Sequence, residues 1–84
     1  MVLHLIRRSA LSISANIAKG YGRGHEKINF YYFARGSATE TQSHLEYGKR
    51  IKYLEIKEAI RLDNELSKIC LSLNKLIASL TPKN

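Results

Sequence analysis

Lys19-Gly-Tyr-Gly-Arg-Gly-His25 holds three of the five glycines of this 84-residue chain, and the residues on both sides of it read as helix. Glycine occupies positive φ at no steric cost, so Gly20 is expected to close the preceding helix in a left-handed cap. Gly22 and Gly24 then let the chain reverse tightly and bring two helix ends together. A glycine-rich turn ahead of a helix can also present backbone N–H groups to a phosphate. Here no Lys-Ser or Lys-Thr follows at Walker distance, and the third glycine comes too early for a dinucleotide fingerprint. The stretch therefore reads as a structural corner.

Working outward, the segment before the corner predicts a helix over about residues 2–18. Leu3, Ile6, Ala10, Ile13 and Ile17 step by three and four, which lines one face with a packing seam. Arg8, Ser12 and Lys19 fall toward the other side. No capping residue precedes the seam. After the corner a second helix is expected over about residues 26–53, broken softly at Gly48. Phe30, Tyr31, Tyr32 and Phe33 open it and cover every side of a helix. Phe30 and Phe33 are expected in the core, with the tyrosines half exposed. Stacking of these rings on bases, between Arg23, Lys27 and Arg35, is the functional alternative. Small residues follow from Ala34 to Thr41 and let a neighbouring helix approach closely. The third helix, about residues 56–80, has the cleanest pattern. Leu62, Leu66, Ile69, Leu73, Leu76 and Leu80 alternate steps of four and three, the seam of an antiparallel bundle or coiled coil. Thr81-Pro82 stops it.

The whole is one all-α domain, residues 1–84, with a core too small to be generous. Aromatic residues are 8% and Trp is absent, so Leu, Ile and small residues must fill that core. The net charge of +7 makes a polyanion a plausible partner. Through Tyr53 there are nine Lys and Arg against three Glu, and from Leu54 on, five against four. A polyanion surface is therefore expected on the first two helices and their corner. The single cysteine, Cys70, excludes an internal disulfide, fits a reducing cytoplasm and reads as a buried thiol. No secretory signal is recognisable, and Ser12, Ser14 and Asn16 interrupt the apolar stretch a twin-arginine signal at Arg7-Arg8 would need. The most apolar segment, residues 66–80, is too short to span a bilayer.

Catalysis finds little support. His4, His25 and His44 are scattered, and no Cys or His stands at metal-ligand spacing, so neither metal nor cofactor is expected. Ser9, Ser12 and Ser14 have no base placed by sequence, and Glu40 and Glu46 fall on different helix faces. His25 beside Glu26 is the best acid–base pair, and it reads as an exposed loop histidine.

Ile6-Arg-Arg-Ser-Ala-Leu-Ser-Ile13, Asn16-Ile-Ala18, Gly20-Tyr-Gly-Arg-Gly24 and Phe33-Ala-Arg-Gly-Ser37 resemble the signature of the four-helix-bundle proteins also called the 23S rRNA intervening-sequence protein family. The resemblance covers nearly the whole chain and extends to the accessory variability determinant of diversity-generating retroelements. It implies a small antiparallel bundle, often a homopentamer, with a basic surface and no known enzymatic activity. It also implies one more amphipathic helix ahead of Val2, so the chain is expected to be a four-helix bundle lacking its first helix. Three positions depart from the family pattern: Ser14 stands for a proline, Lys19 for a glutamate, and His25 for a capping serine.

The expected function is a non-enzymatic, homo-oligomeric scaffold whose basic rim associates with RNA or DNA. Arg7, Arg8, Lys19, Arg23, Lys27 and Arg35 would make the phosphate contacts, and Asn16, Gly20, Gly22 and Gly24 would hold the corner. The alternative is a purely protein–protein module, or a remnant of a mobile-element gene, whose charge is incidental. No membrane partner is expected, and the location is cytoplasmic.

Overall fold

The structure is a computed structural model, and it describes residues 1–22 and 27–82. It consists of α1 (Val2–Tyr21), α2 (Lys27–Arg50) and α3 (Ile56–Leu80), with no strand among the described residues. The all-α expectation is met, and α3 has the bounds that its leucine pattern predicts.

Helix α2 is the middle element. Its buried residues Tyr31, Ala34, Ala38, Thr41, Leu45 and Gly48 step by three and four along one seam. The centre of that seam is Ala34 and Ala38, both fully buried, whose small side chains let the flanking helices approach closely. Contacts at Val2–Gly48, Ser12–Ser37 and Gly20–Tyr31 run α1 antiparallel to α2. Hydrogen bonds from Arg35 to Asn74 and from Gln42 to Ser67 run α3 antiparallel to α2. Ile13, Tyr31, Leu45, Leu66, Leu73 and Ile77 join the two alanines in the core.

Helices α1 and α3 do not close the bundle. No Cα of one comes within 8 Å of a Cα of the other. The Cα extents are 46 × 21 × 15 Å, and α2 stands between the other two helices. A trough is left between α1 and α3. Two hollows of about 210 and 350 Å³ lie in it. Ile6, Ala10 and Ile17 form its α1 wall, and Leu62, Leu66, Ile69, Leu73 and Leu76 form the α3 wall.

The trough corrects the reading of the first helix. Its face toward α2 is Val2, Ser9, Ile13 and Gly20. Leu3, Ala10 and Ile17 of the sequence seam are exposed instead, Ala10 and Ile17 along the trough. Alternation of Leu and Ile marks apolar residues, whereas a seam that lets two helices approach closely uses Ser and Gly, which hydropathy does not register. Ser9 is tolerated because its hydroxyl is satisfied within the helix: Oγ donates to the carbonyl oxygen of Leu5 (3.0 Å) or Ile6 (3.2 Å).

The aromatic quartet is corrected as well. Tyr31 is the buried member, Phe30 is half-buried, and Phe33 is 58% exposed. Phe30 and Phe33 still meet edge to face, with centroids 6.1 Å apart. Tyr31 is core because its ring lies against Gly20, which has no side chain to exclude it.

Gly48 does not break α2. It is buried, and a Cβ there would lie 2.6 Å from Leu54 Cδ1 and 3.1 Å from Val2 Cγ1. The helix ends at Arg50 rather than Tyr53. The Tyr53 N–H donates to the Gly48 carbonyl at 2.9 Å, and the Lys52 N–H donates to Lys49 at 3.1 Å. This is the two-bond Schellman closure, with Lys52 in the left-handed position at φ 61°.

Candidate nucleic-acid interface

Six basic residues and four corner residues are the sites the sequence nominates. Helix α1 carries Arg7, Arg8 and Lys19 and no acidic residue, and all three cations are exposed. Neighbours in a helix diverge by about 100°, so Arg7 and Arg8 serve different faces. Arg8 is eleven residues, about three turns, from Lys19 and shares its side of α1. Lys19 stands in the last turn, where the helix dipole favours a cation.

Lys27 opens α2 and is half-buried. Its backbone carbonyl would be 3.2 Å from a Cβ at Gly20, so this turn is pressed against the end of α1. Arg35 is engaged within the fold. Its Nη1 donates to Asn74 Oδ1 at 2.6 Å, and its guanidinium lies over the Tyr32 ring, 4.8 Å from the centroid. It bridges α2 and α3. Of the nominated cations, Arg8 and Lys19 thus share a side of α1, Arg7 lies on another face of that helix, and Arg35 reaches α3. Arg23 lies outside the described residues, as do Gly24, His25 and Glu26.

At the corner Gly20 is not a left-handed cap. It lies inside α1, buried, where a Cβ would sit 2.8 Å from Tyr31 Cε1. Its role is close approach, which requires the missing side chain and not a positive φ. The helix runs on to Tyr21 and is closed by Gly22 at φ −106°, whose N–H donates to the Gly20 carbonyl. Asn16 does not reach across the corner. Its Nδ2 donates to the Ser12 carbonyl at 2.8 Å and to Ser12 Oγ at 3.1 Å, and Ser12 Oγ meets Ser37 Oγ at 2.8 Å.

Sequence reasoning missed a third basic element. Lys57, Arg61, Lys68 and Lys75 are spaced four, seven and seven, which places them on one face of α3, and all are exposed. A net-charge balance over the segment conceals this line, because Glu58 and Glu65 sit on a neighbouring face. The heptad spacing of the cations alone is enough to find it. Arg61 is hydrogen-bonded to Glu58, which holds that carboxyl below its ordinary range and raises the guanidinium. Lys68 reaches Glu65 at 3.5 Å. On α2, the Arg50 and Lys49 side chains likewise hold Glu46 below the usual carboxylate range.

No group of three His, Cys, Asp or Glu that could hold a metal occurs among the described residues. His44 Nε2 lies 3.5 Å from Glu40 Oε2 and makes no hydrogen bond. Cys70 is half-buried and free. No helix is long and apolar enough to cross a membrane among the described residues.

Comparison with known proteins gives one match. The family model described as 23S rRNA-intervening sequence protein matches residues 4–75. No curated protein matches the chain. No solved structure matches it. The match spans α1, α2 and most of α3, including the corner and the small-residue run from Ala34 to Thr41. The chain belongs to the 23S rRNA-intervening sequence protein family.

Proposed function

We propose that the chain is a non-enzymatic helical scaffold that self-associates and carries RNA or DNA on its basic surface through phosphate contacts. The observation that carries the second part is helix α1, which bears Arg7, Arg8 and Lys19, all exposed, with no carboxylate along its length. Phosphate contacts need cations free of competing acids, and each neutralised phosphate releases condensed counterions. The line Lys57, Arg61, Lys68 and Lys75 on α3 adds cations, two of them shared with Glu58 and Glu65. Self-association is supported by the trough, whose exposed apolar walls a single chain leaves in water.

Anisotropy of a labelled single-stranded RNA, titrated at several salt concentrations, tests the reading. Affinity is expected to fall with salt at a slope of about −0.7 for each phosphate contacted. Arg8→Glu with Lys19→Glu is expected to weaken binding uniformly across sequences. Binding that ignores salt, or none at low salt, overturns the nucleic-acid part and leaves a protein–protein module.

A further inference from the structure

Phe33 is 58% exposed near the start of α2, with Phe30 edge to face against it. Exposed apolar side chains are common, so the neighbours of this ring decide whether it has a use. Phe33 and Ser37 stand four residues apart and share a face of α2. Ser37 Oγ meets Ser12 Oγ of α1 at 2.8 Å. That face therefore borders the side of α1 on which Arg8, Ser12, Asn16 and Lys19 follow one another at steps of four, four and three. Because the helices are antiparallel, Asn16 and Phe33 both lie one turn from the serine contact toward the corner, and Lys19 lies about a turn further. Arg8 lies one turn from the contact the other way. The two cations are separated by roughly 16 Å along the axis, with the exposed ring beside the stretch between them. Helix α1 carries no acid. The acid bordering this face among the described residues is Glu40, at the Arg8 end, and its carboxylate lies 3.5 Å from His44 Nε2.

We infer that the nucleic acid carried by this α1–α2 face is single-stranded, and that Phe33 is the platform on which one of its bases stacks. The inference rests on the nucleic-acid part of the proposed function and names the ligand class at that site. Cations alone favour a duplex, whose phosphates are more densely spaced along the axis. A phenyl ring adds nothing there, because the bases of a duplex are already stacked on one another. An unpaired strand leaves the faces of its bases open, and a ring placed between two phosphate contacts binds them with little regard to sequence. Phe30 holds the Phe33 ring in place, and its exposure leaves surface for a base.

The chain has no tryptophan, so Phe33→Trp supplies a single reporter at the site. Its emission is expected to be quenched by an unstructured oligo-uridine RNA. In anisotropy titrations of the full chain, that RNA is expected to bind more tightly than its duplex with oligo-adenosine. Phe33→Ala is expected to weaken the single strand about tenfold and to leave the salt slope unchanged, since stacking releases no counterion. Phe33→Tyr is expected to bind like the parent. Lys19→Gln is expected to lower the slope by about 0.7 instead. Tyr47→Ala, at another exposed ring of α2, is the control and is expected to change neither quantity. Circular dichroism and sedimentation of the same samples report the fold and the assembly. An indifferent Phe33→Ala, an unquenched tryptophan, or a duplex bound as tightly as the single strand overturns the inference and leaves the nucleic-acid reading standing. A Phe33→Ala chain that loses self-association but binds RNA normally also overturns it, and assigns the ring to a contact between chains. No binding of either RNA at low salt overturns both.

Discussion

The ring of Tyr31 lies against Gly20 so closely that a Cβ on the glycine would stand 2.8 Å from Cε1 and 3.1 Å from Cζ. Tyr31 is buried and cannot swing away without vacating the core. Gly20→Ala is therefore expected to destabilise the chain by about 1–3 kcal/mol, despite the better helix propensity of alanine. Gly36 lies in the middle of α2, exposed, and a Cβ there meets nothing within 4 Å. Gly36→Ala is expected to stabilise by about 0.5–1 kcal/mol. Urea unfolding of the two variants should give opposite signs.

Thr41 and Ser9 form the buried polar contact between α1 and α2, with Thr41 Oγ1 2.7 Å from Ser9 Oγ and 2.7 Å from the Ser37 carbonyl. One hydroxyl proton serves only one acceptor at a time, so each side chain retains an intrahelical acceptor when the other is removed. Ser9→Ala is expected to cost only about 1 kcal/mol. Ser9→Leu should cost considerably more, since the site is closed by α2 and has no room for the added methylenes. Chemical denaturation of both variants, with Thr41→Val as the partner in a double-mutant cycle, measures the pair.

Lys52 holds the left-handed position that closes α2, at φ 61°. Glycine takes that conformation without steric cost, so Lys52→Gly is expected to stabilise by about 0.5–1 kcal/mol. Thermal melting at fixed pH and salt checks the sign, which should be opposite to that of Gly20→Ala.

Arg35 separates a structural cation from a phosphate contact. Because it ties α2 to Asn74 of α3 and caps the Tyr32 ring, Arg35→Ala is expected to lower stability by about 1 kcal/mol. It should weaken RNA binding less than Arg8→Ala, whose side chain is exposed on the acid-free helix. Parallel denaturation and anisotropy titrations of the two variants check this division. The reverse order of affinities would place the nucleic acid on the α2–α3 side.

The sequence made the long elements legible because period and composition agree there. Leu62 to Leu80 could form little else than an amphipathic helix, and its bounds follow from the pattern and from Pro82. Less legible was which face of each helix meets which neighbour. Val2, Ser9, Ile13 and Gly20 make the α1 contact, its close approach given by Ser9 and Gly20, while Ile6, Ala10 and Ile17 of the more conspicuous line border the trough. The corner glycine Gly20 suggested a positive φ, but its absent side chain serves packing against Tyr31. Among the basic residues, charge type could be read directly, but engagement could not. Arg35 and Arg8 look alike until Asn74 and Tyr32 are placed beside the first.

The open trough is tested most directly by disulfide trapping within one chain, in a Cys70→Ser background. Cysteines bridge only when their Cα atoms lie within about 7 Å. Ile17 and Leu76 line the same hollow from α1 and α3, helices with no Cα pair inside 8 Å. Ser12 and Ser37, with hydroxyl oxygens 2.8 Å apart across α1 and α2, supply the control. Mild oxidation is expected to close Ser12→Cys with Ser37→Cys into an intrachain disulfide and to leave Ile17→Cys with Leu76→Cys as free thiols within each chain. Rapid intrachain closure of the second pair, at the rate of the control, would mean that α1 and α3 pack together and that no trough exists.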